Sequence, residues 1–294
     1  MDISSFLIGY EAGKNSVASG GGGGSLPAGV YWKPMNIPYK NKNRQRWFVF
    51  NGSLYVAVST ATNQSYFEGI YKYNGTTWTT IISGQNASNP WVSYGGFNYI
   101  EYHGKLHMTN YDTKDHATFD GTSVTTMNAL PSSASYWAMF VQGDLLKYYS
   151  VKDGKTYVWN EADDTWGEES DTGMKFTYLA FTTINGTTYA WSNKKIYIYD
   201  GTSLTEIATW PTSSPSVAEF GKHGNCIYLT SSQSSMPHSL VEFNTQTQVA
   251  RVVGTLPYCT FTFVNMFSFD GKLCCVCQLG SDYFGVNALC EVTE

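Results

Sequence analysis

Short apolar stretches broken by tight glycine turns make up most of this chain. One signature, a polar residue followed by glycine and then an apolar run, occurs six times. Its copies are Asn51-Gly52-Ser53-Leu54, His103-Gly104-Lys105-Leu106, Gln142-Gly143-Asp144-Leu145, Asn185-Gly186-Thr187-Thr188, His223-Gly224-Asn225-Cys226 and Asp270-Gly271-Lys272-Leu273. Successive glycines of the set lie 38 to 52 residues apart. Asn-Gly and Asp-Gly between apolar runs predict hairpins, because both turn residues must take positive φ.

A second signature lies in the other half of each unit. It reads Tyr73-Asn74-Gly75-Thr76-Thr77-Trp78, Phe119-Asp120-Gly121-Thr122-Ser123-Val124 and Tyr199-Asp200-Gly201-Thr202-Ser203-Leu204. Looser copies run from Trp159-Asn160 to Asp164-Thr165-Trp166 and from Phe243-Asn244-Thr245 to Val249. An aromatic closes one strand, a turn follows, and a Thr/Ser-rich strand carries the next apolar residue. Each unit therefore holds two hairpins. Four strands in roughly 44 residues is the pattern of a propeller blade.

The first signature has six copies and the second five. The last unit stops at Leu289-Cys290-Glu291-Val292-Thr293-Glu294, one strand short, whereas Val30 to Pro38 resembles the blade-ending segments Leu204–Pro211 and Val249–Pro257. The expected fold is an all-β, six-bladed β-propeller over residues 29–294, its ring closed by the N-terminal strand pairing into the last blade. Closure would leave no unpaired sheet edge. A seven-bladed ring with one degenerate blade, or a tandem β-sandwich, is the alternative.

Residues 1–28 follow another rule. Ile3, Phe6, Leu7 and Tyr10 fall at i, i+3, i+4 and i+7, which predicts a short amphipathic helix within residues 1–19 with Asp2 or Ser4 near its cap. Gly20 to Gly24 make residues 20–28 a flexible tether. No positive charge precedes the apolar residues, and Glu11 and Lys14 interrupt them, so the segment does not read as a secretion signal. A helix this short is marginal alone in water, which favours an attachment peptide that docks on something else; a disordered leader with accidental periodicity is the alternative.

Composition agrees with a β protein: charged residues are 14% and aromatics 16%, with 28 glycines. The formal net charge of −5 and the lack of a basic block argue against a nucleic-acid partner held through phosphates. No apolar run approaches the ~20 residues needed to span a bilayer, so membrane insertion is not expected.

In a four-stranded blade the turns between strands one and two and between strands three and four share a rim. The remaining connections share the other rim, and here they are longer, polar and aromatic. Long loops on a rigid scaffold are the default place for recognition. The candidate ligand-binding residues are Tyr66, Trp91, Tyr94, Tyr111, Asp112, His116, Tyr136, Trp137, Trp191, Asp282 and Tyr283. Aromatic faces beside Asp, Asn and His suit sugars, which stack on rings and need hydrogen bonds for their hydroxyls. The competing role for each ring is packing between blades.

No catalytic constellation emerges, and neither a cofactor nor a metal site is expected. His103 and His223 occupy the turn position held elsewhere by Asn or Asp. His107 and His116 lie nine apart, with Asp112 and Asp115 between them, and show no metal-ligand spacing. Asp163-Asp164-Thr165-Trp166 lacks the serine and glycine of a sialidase Asp-box. All six cysteines (Cys226, Cys259, Cys274, Cys275, Cys277 and Cys290) fall in the last 69 residues. Cys274 and Cys277 are three apart on a predicted strand and so face opposite ways, which favours buried thiols and folding in a reducing cytoplasm. The N-x-S/T triplets at Asn51, Asn63, Asn74, Asn86 and Asn185 read as hairpin composition.

The repeat over residues 29–294 resembles a kelch-type propeller, without the Gly-Gly doublet after the second strand. Phe6-Leu7-Ile8-Gly9-Tyr10-Glu11-Ala12-Gly13-Lys14 followed by a glycine run resembles the start of tail and minor structural proteins of phages and prophages of Gram-positive bacteria. That resemblance implies a virion component made in the bacterial host cytoplasm and present in several copies. Its first residues would mount it on other tail or baseplate proteins. It would be non-enzymatic, with the propeller displayed for adhesion to host-surface carbohydrate. The alternatives are a purely structural tail protein, a secreted lectin, and a propeller-type glycosidase. The glycosidase needs paired carboxylates, for which Glu101, Glu219 and Asp270 are the main inner-strand acids.

Overall fold

A computed structural model describes residues 31–34, 44–59, 67–83, 97–110, 114–132, 138–192, 194–211, 215–231, 239–255, 265–279 and 286–293. The expected helix and glycine tether, with Ile3, Phe6, Leu7 and Tyr10, lie outside them. Among the described residues the chain is all-β, with no helix, and forms a β-propeller.

Strand β1 spans Tyr31–Pro34. The first sheet holds β2 (Arg44–Phe50), β3 (Ser53–Ser59), β4 (Phe67–Tyr73) and β5 (Trp78–Ser83). The second holds β6 (Phe97–Tyr102), β7 (Lys105–Asn110), β8 (His116–Phe119) and β9 (Val124–Thr126). The third holds β10 (Met139–Gln142), β11 (Leu145–Ser150), β12 (Lys155–Asn160) and β13 (Thr165–Asp171). The fourth holds β14 (Ala180–Ile184), β15 (Thr187–Trp191), β16 (Lys195–Tyr199) and β17 (Leu204–Thr209). The fifth holds β18 (Pro215–His223), β19 (Cys226–Ser231), β20 (Ser239–Asn244) and β21 (Val249–Thr255). The last strands are β22 (Asn265–Phe269), β23 (Lys272–Leu279) and β24 (Val286–Thr293).

Five sheets are contiguous up-and-down meanders, and the sixth is composite, in the order β1-β24-β23-β22. In it Tyr31 lies opposite Thr293 and Pro34 opposite Cys290. The architecture is recognised as a propeller of five blades, not the six expected, while strand pairing yields six four-stranded sheets. The two counts differ by one, and one sheet draws its strands from both ends of the chain.

The turn chemistry explains why the hairpins form where they do. Asn51-Gly52, His103-Gly104, Asn185-Gly186 and Asp270-Gly271 all have positive φ at both residues, the geometry of a two-residue I′ hairpin turn. The second signature is an Asx turn. Asp120 Oδ1 accepts from the amides of Thr122 and Ser123, both at 2.8 Å. Asp200 repeats this with Thr202 and Ser203, again at 2.8 Å. Asn74 does so with Thr76 at 3.0 Å and Thr77 at 2.8 Å. The looser copies keep the device, with Asn244 accepting from Gln246 at 2.9 Å and Thr247 at 3.1 Å.

The core lies between sheets rather than under one. Phe48, Phe50, Tyr55 and Ala57 of the first sheet pack on Leu106, Met108, Ala117 and Phe119 of the second. Alternate residues Trp47, Leu54, Val56 and Val58 face the other way, against Phe267 and Cys274 of the sixth, as the period of two requires. Phe140 and Tyr149 meet Phe181 and Tyr199 between the third and fourth sheets. Trp191 and Ile196 meet Ile227 and Val241 between the fourth and fifth. At the fifth and sixth, Gly221 lies so close that a Cβ would sit 2.9 Å from Met266 Cβ and 3.0 Å from Leu273 Cδ1.

Candidate functional site

The tight turns share a rim. His103, in the first turn of the second sheet, reaches Asp144 (3.1 Å) and Glu161 (3.0 Å), which lie in the two turns of the third. Those carboxylates hold the His103 pKa above its ordinary value, Glu161 more than Asp144. Tyr102 stacks on the imidazole with centroids 3.9 Å apart, and its hydroxyl donates to the Asp144 carbonyl at 3.1 Å. Asn185 Nδ2 donates to Asn225 Oδ1 at 2.9 Å between the next pair of turns. His223 pairs with Ser268 at 2.8 Å. Short turns fastened to one another leave this rim little freedom.

The opposite rim carries the longer connections. Of the predicted ligand-binding residues, Tyr66, Trp91, Tyr94, Tyr111, Asp112, Tyr136, Trp137, Asp282 and Tyr283 lie outside the described residues. The other two are corrected: they are buried rather than displayed. Trp191 is 0% exposed, with its ring edge-on to Phe220 at 4.7 Å between the fourth and fifth sheets. His116 is 1% exposed and opposes Thr109 inside the second sheet. Both sit at strand ends but project along the inter-sheet face, where apolar burial takes them out of water.

Around the third sheet this rim carries a row of bonded hydroxyls. Ser132 Oγ lies 2.9 Å from Tyr148 Oη and donates to Ser150 Oγ at 2.9 Å, and Ser150 Oγ donates to Asp153 Oδ2 at 2.8 Å. Burial raises the Tyr148 pKa, against a smaller opposing effect of Ser132, so the phenol stays protonated. These hydroxyls and the Asp153 carboxylate can hydrogen-bond a polar ligand. The Asp171–Leu179 connection folds over the same place. Thr172 N donates to the Gly154 carbonyl at 2.9 Å, and Phe176 N to that of Val151 at 3.0 Å. Tyr149 Oη donates to the Met174 carbonyl at 2.7 Å. Met174 and Tyr178 remain exposed on this connection. Neither they nor the hydroxyl cluster stands out in the sequence, because Met, Tyr and Ser in a loop carry no spacing signal.

The carboxylate pair that the glycosidase alternative would need does not assemble among the described side chains, which do not include that of Glu219. Glu101 and Asp270 are exposed, and Asp270 is a turn residue with φ 51. Glu242 is fully buried, but Tyr228 Oη donates to it at 2.9 Å and Arg251 Nε at 3.1 Å. Among the described residues no three His, Cys, Asp or Glu side chains are placed to hold a metal ion. Cys226, Cys274 and Cys275 are buried and not disulfide-bonded. Burial, helped by Glu242, pushes the Cys226 thiol up to about 11, the range of an inert thiol.

No helix among the described residues is long and apolar enough to cross a membrane. No family model matches the chain, and no curated protein matches it. Among solved structures it is similar to a Bacteroides fragilis protein described as exported, with 10% identity over 90% of this chain and 95% of that one, at a TM-score of 0.57. It also matches the extracellular domain of a B. thetaiotaomicron protein described as a one-component system. There it covers 83% of this chain and 32% of that one, with 10% identity and a TM-score of 0.48. At such identity the first likeness shows the fold alone, a β-propeller.

Proposed function

We propose that this chain is a non-enzymatic, phage tail or baseplate-associated virion protein. It is mounted through residues 1–19 and presents its propeller to host-surface carbohydrate. In this reading the six sheets are six blades of a closed ring, with β1 completing the last. Core packing supports that closure, because the first sheet buries one face on the second and the other on the sixth.

The observation that carries the reading is the contrast between rims. One is made of short turns bonded to their neighbours. The other carries the hydroxyl cluster of Ser132, Tyr148 and Ser150, and the sequence that follows Ser132 holds Tyr136 and Trp137. Hydroxyl donors next to aromatic rings are the inventory that a sugar requires.

Glycan-array binding of the propeller, compared with W91A, W137A and Y283A variants, tests the ligand. Binding lost in these variants supports the chosen rim, and binding retained in all three overturns it. Deleting residues 1–25 should leave the fold intact and abolish incorporation into particles. Unchanged incorporation would remove the attachment role. Array-negative propeller that co-purifies with tail proteins would make the protein purely structural, and reducing sugar released from host wall material would make it a glycosidase.

A further inference from the structure

Two histidines are buried side by side on one face of the second sheet. In the first sheet the same two places, the third residue of the second strand and the cross-strand partner of its fifth, hold Tyr55 and Ile70, and in the fourth they hold Tyr189 and Ile196. The third sheet has Lys147 and Thr156 there, both buried. Polar groups buried between sheets must satisfy their hydrogen bonds internally, which marks a place to look for function.

The pair lies at the contact between the second and third sheets. His107 Nδ1 is 3.0 Å from His116 Nε2, so one imidazole donates to the other. The rings are 26° from parallel. His116 stands edge-on to Trp159 at 5.0 Å and meets Trp166 at 5.6 Å, and both indoles belong to the third sheet. His107 is 3% and His116 1% exposed. His116 Nδ1 is buried on the side of the Asn128 backbone. Among the described residues no carboxylate is bonded to either ring, and Asp115 precedes His116 along the chain. The charged groups acting on His107 are Lys105 and His103, both cationic or able to become so, and Tyr102 contacts it edge-on at 5.8 Å. Asp144 and Glu161 are engaged by His103 on the rim.

We infer that His107 and His116 form an acid-sensitive latch between the second and third sheets, closed while both rings are neutral and opened when a proton enters the pair. The first proton can settle on an outer ring nitrogen and leave the N–H···N bond in place, but it puts a charge in a site shielded from water. A second makes both rings imidazolium, so that two N–H groups face each other and the charges repel. Burial first, then His116, Lys105 and His103, lowers the His107 pKa from 6.5 to about 3. Burial lowers that of His116 to about 4, against a smaller upward effect of the Asn128 backbone. The folded state therefore resists protons that the unfolded chain takes up. Stability is full above pH 6.5 and falls as pH drops toward 4.

The experiment is an acid titration of the full chain followed by tryptophan emission, far-ultraviolet circular dichroism and hydrogen exchange. The expected result is reversible quenching from Trp159 and Trp166 between about pH 6 and 4, before strand content is lost. New exchange should be confined to residues 97–132 and 138–171. The variant H107Y/H116I restores residues used in the first sheet and should move the acid midpoint down by about one pH unit or more. H116Q, which keeps a hydrogen-bonding group but cannot take the charge, should behave likewise if the double variant misfolds. Acid profiles unchanged in these variants would overturn the latch. So would exchange rising over all six sheets at once, which would mean ordinary acid denaturation.

Discussion

Gly154 and Gly52 show how much a single position can matter. Both have positive φ, 76° and 67°. A Cβ on Gly52 would meet nothing within 4 Å, whereas one on Gly154 would sit 2.8 Å from the Met174 carbonyl oxygen and 2.9 Å from its amide nitrogen. Gly52→Ala should therefore cost only the backbone penalty, about 1 kcal/mol. Gly154→Ala should cost about 2 kcal/mol or more, because the Asp171–Leu179 connection must move as well. Calorimetry of the two variants checks the ordering. His103 gives a second prediction at this scale. Its pKa is raised by Glu161 and Asp144, so its contribution is present below pH 6.5 and lost as pH rises through the higher folded value. His103→Asn, which also tolerates the left-handed turn, should match the wild-type melting temperature at pH 8.5 and fall below it at pH 6. Equal curves at both values would show the contacts to be energetically idle.

Among elements, the row Tyr228–Glu242–Arg251 crosses three strands of the fifth sheet, with each residue directly opposite the next. Glu242 is fully buried and Arg251 one-third exposed. Removing one partner of such a pair leaves a buried group without compensation. Glu242→Ala should thus destabilise by about 3 kcal/mol, and Glu242→Gln, which can still accept from Tyr228, by less. Denaturant unfolding measures both; equal losses would mean that shape, not hydrogen bonding, dominates. The strand framework was legible in the sequence because each hairpin depends on residues with special backbone demands, such as Asn51-Gly52 or Asp200-Gly201-Thr202. The site was less legible. A tryptophan at a strand end, such as Trp191, has the same letter whether it stacks on a sugar or packs on Phe220, and only its neighbours across sheets decide. His107 and His116 showed no ligand spacing. Their signal was positional, two histidines aligned with Tyr55 and Ile70.

For the whole molecule, the composite sheet governs integrity. β24 bonds to β23 on one side and β1 on the other. Removing β1 would expose a strand edge able to pair with another chain. A chain lacking residues 1–25 should melt like the full chain. One lacking residues 1–34 should melt lower and self-associate, as read by calorimetry and light scattering. Identical behaviour of the two truncations would mean that β1 adds nothing to stability.

The pairing of Tyr31 with Thr293 also bears on how this protein is made. A nascent chain carries Tyr31 out of the ribosome long before Thr293 is synthesised. The intervening five meanders can form from local contacts as they emerge, which is fast. β1 and β24 must then find each other across the five intervening sheets, although each doubling of such a span adds only about 0.6 kcal/mol of closure entropy. Folding should consequently end in one slow step, during which the unpaired edge of β24 is most open to chaperones and to capture by a second copy.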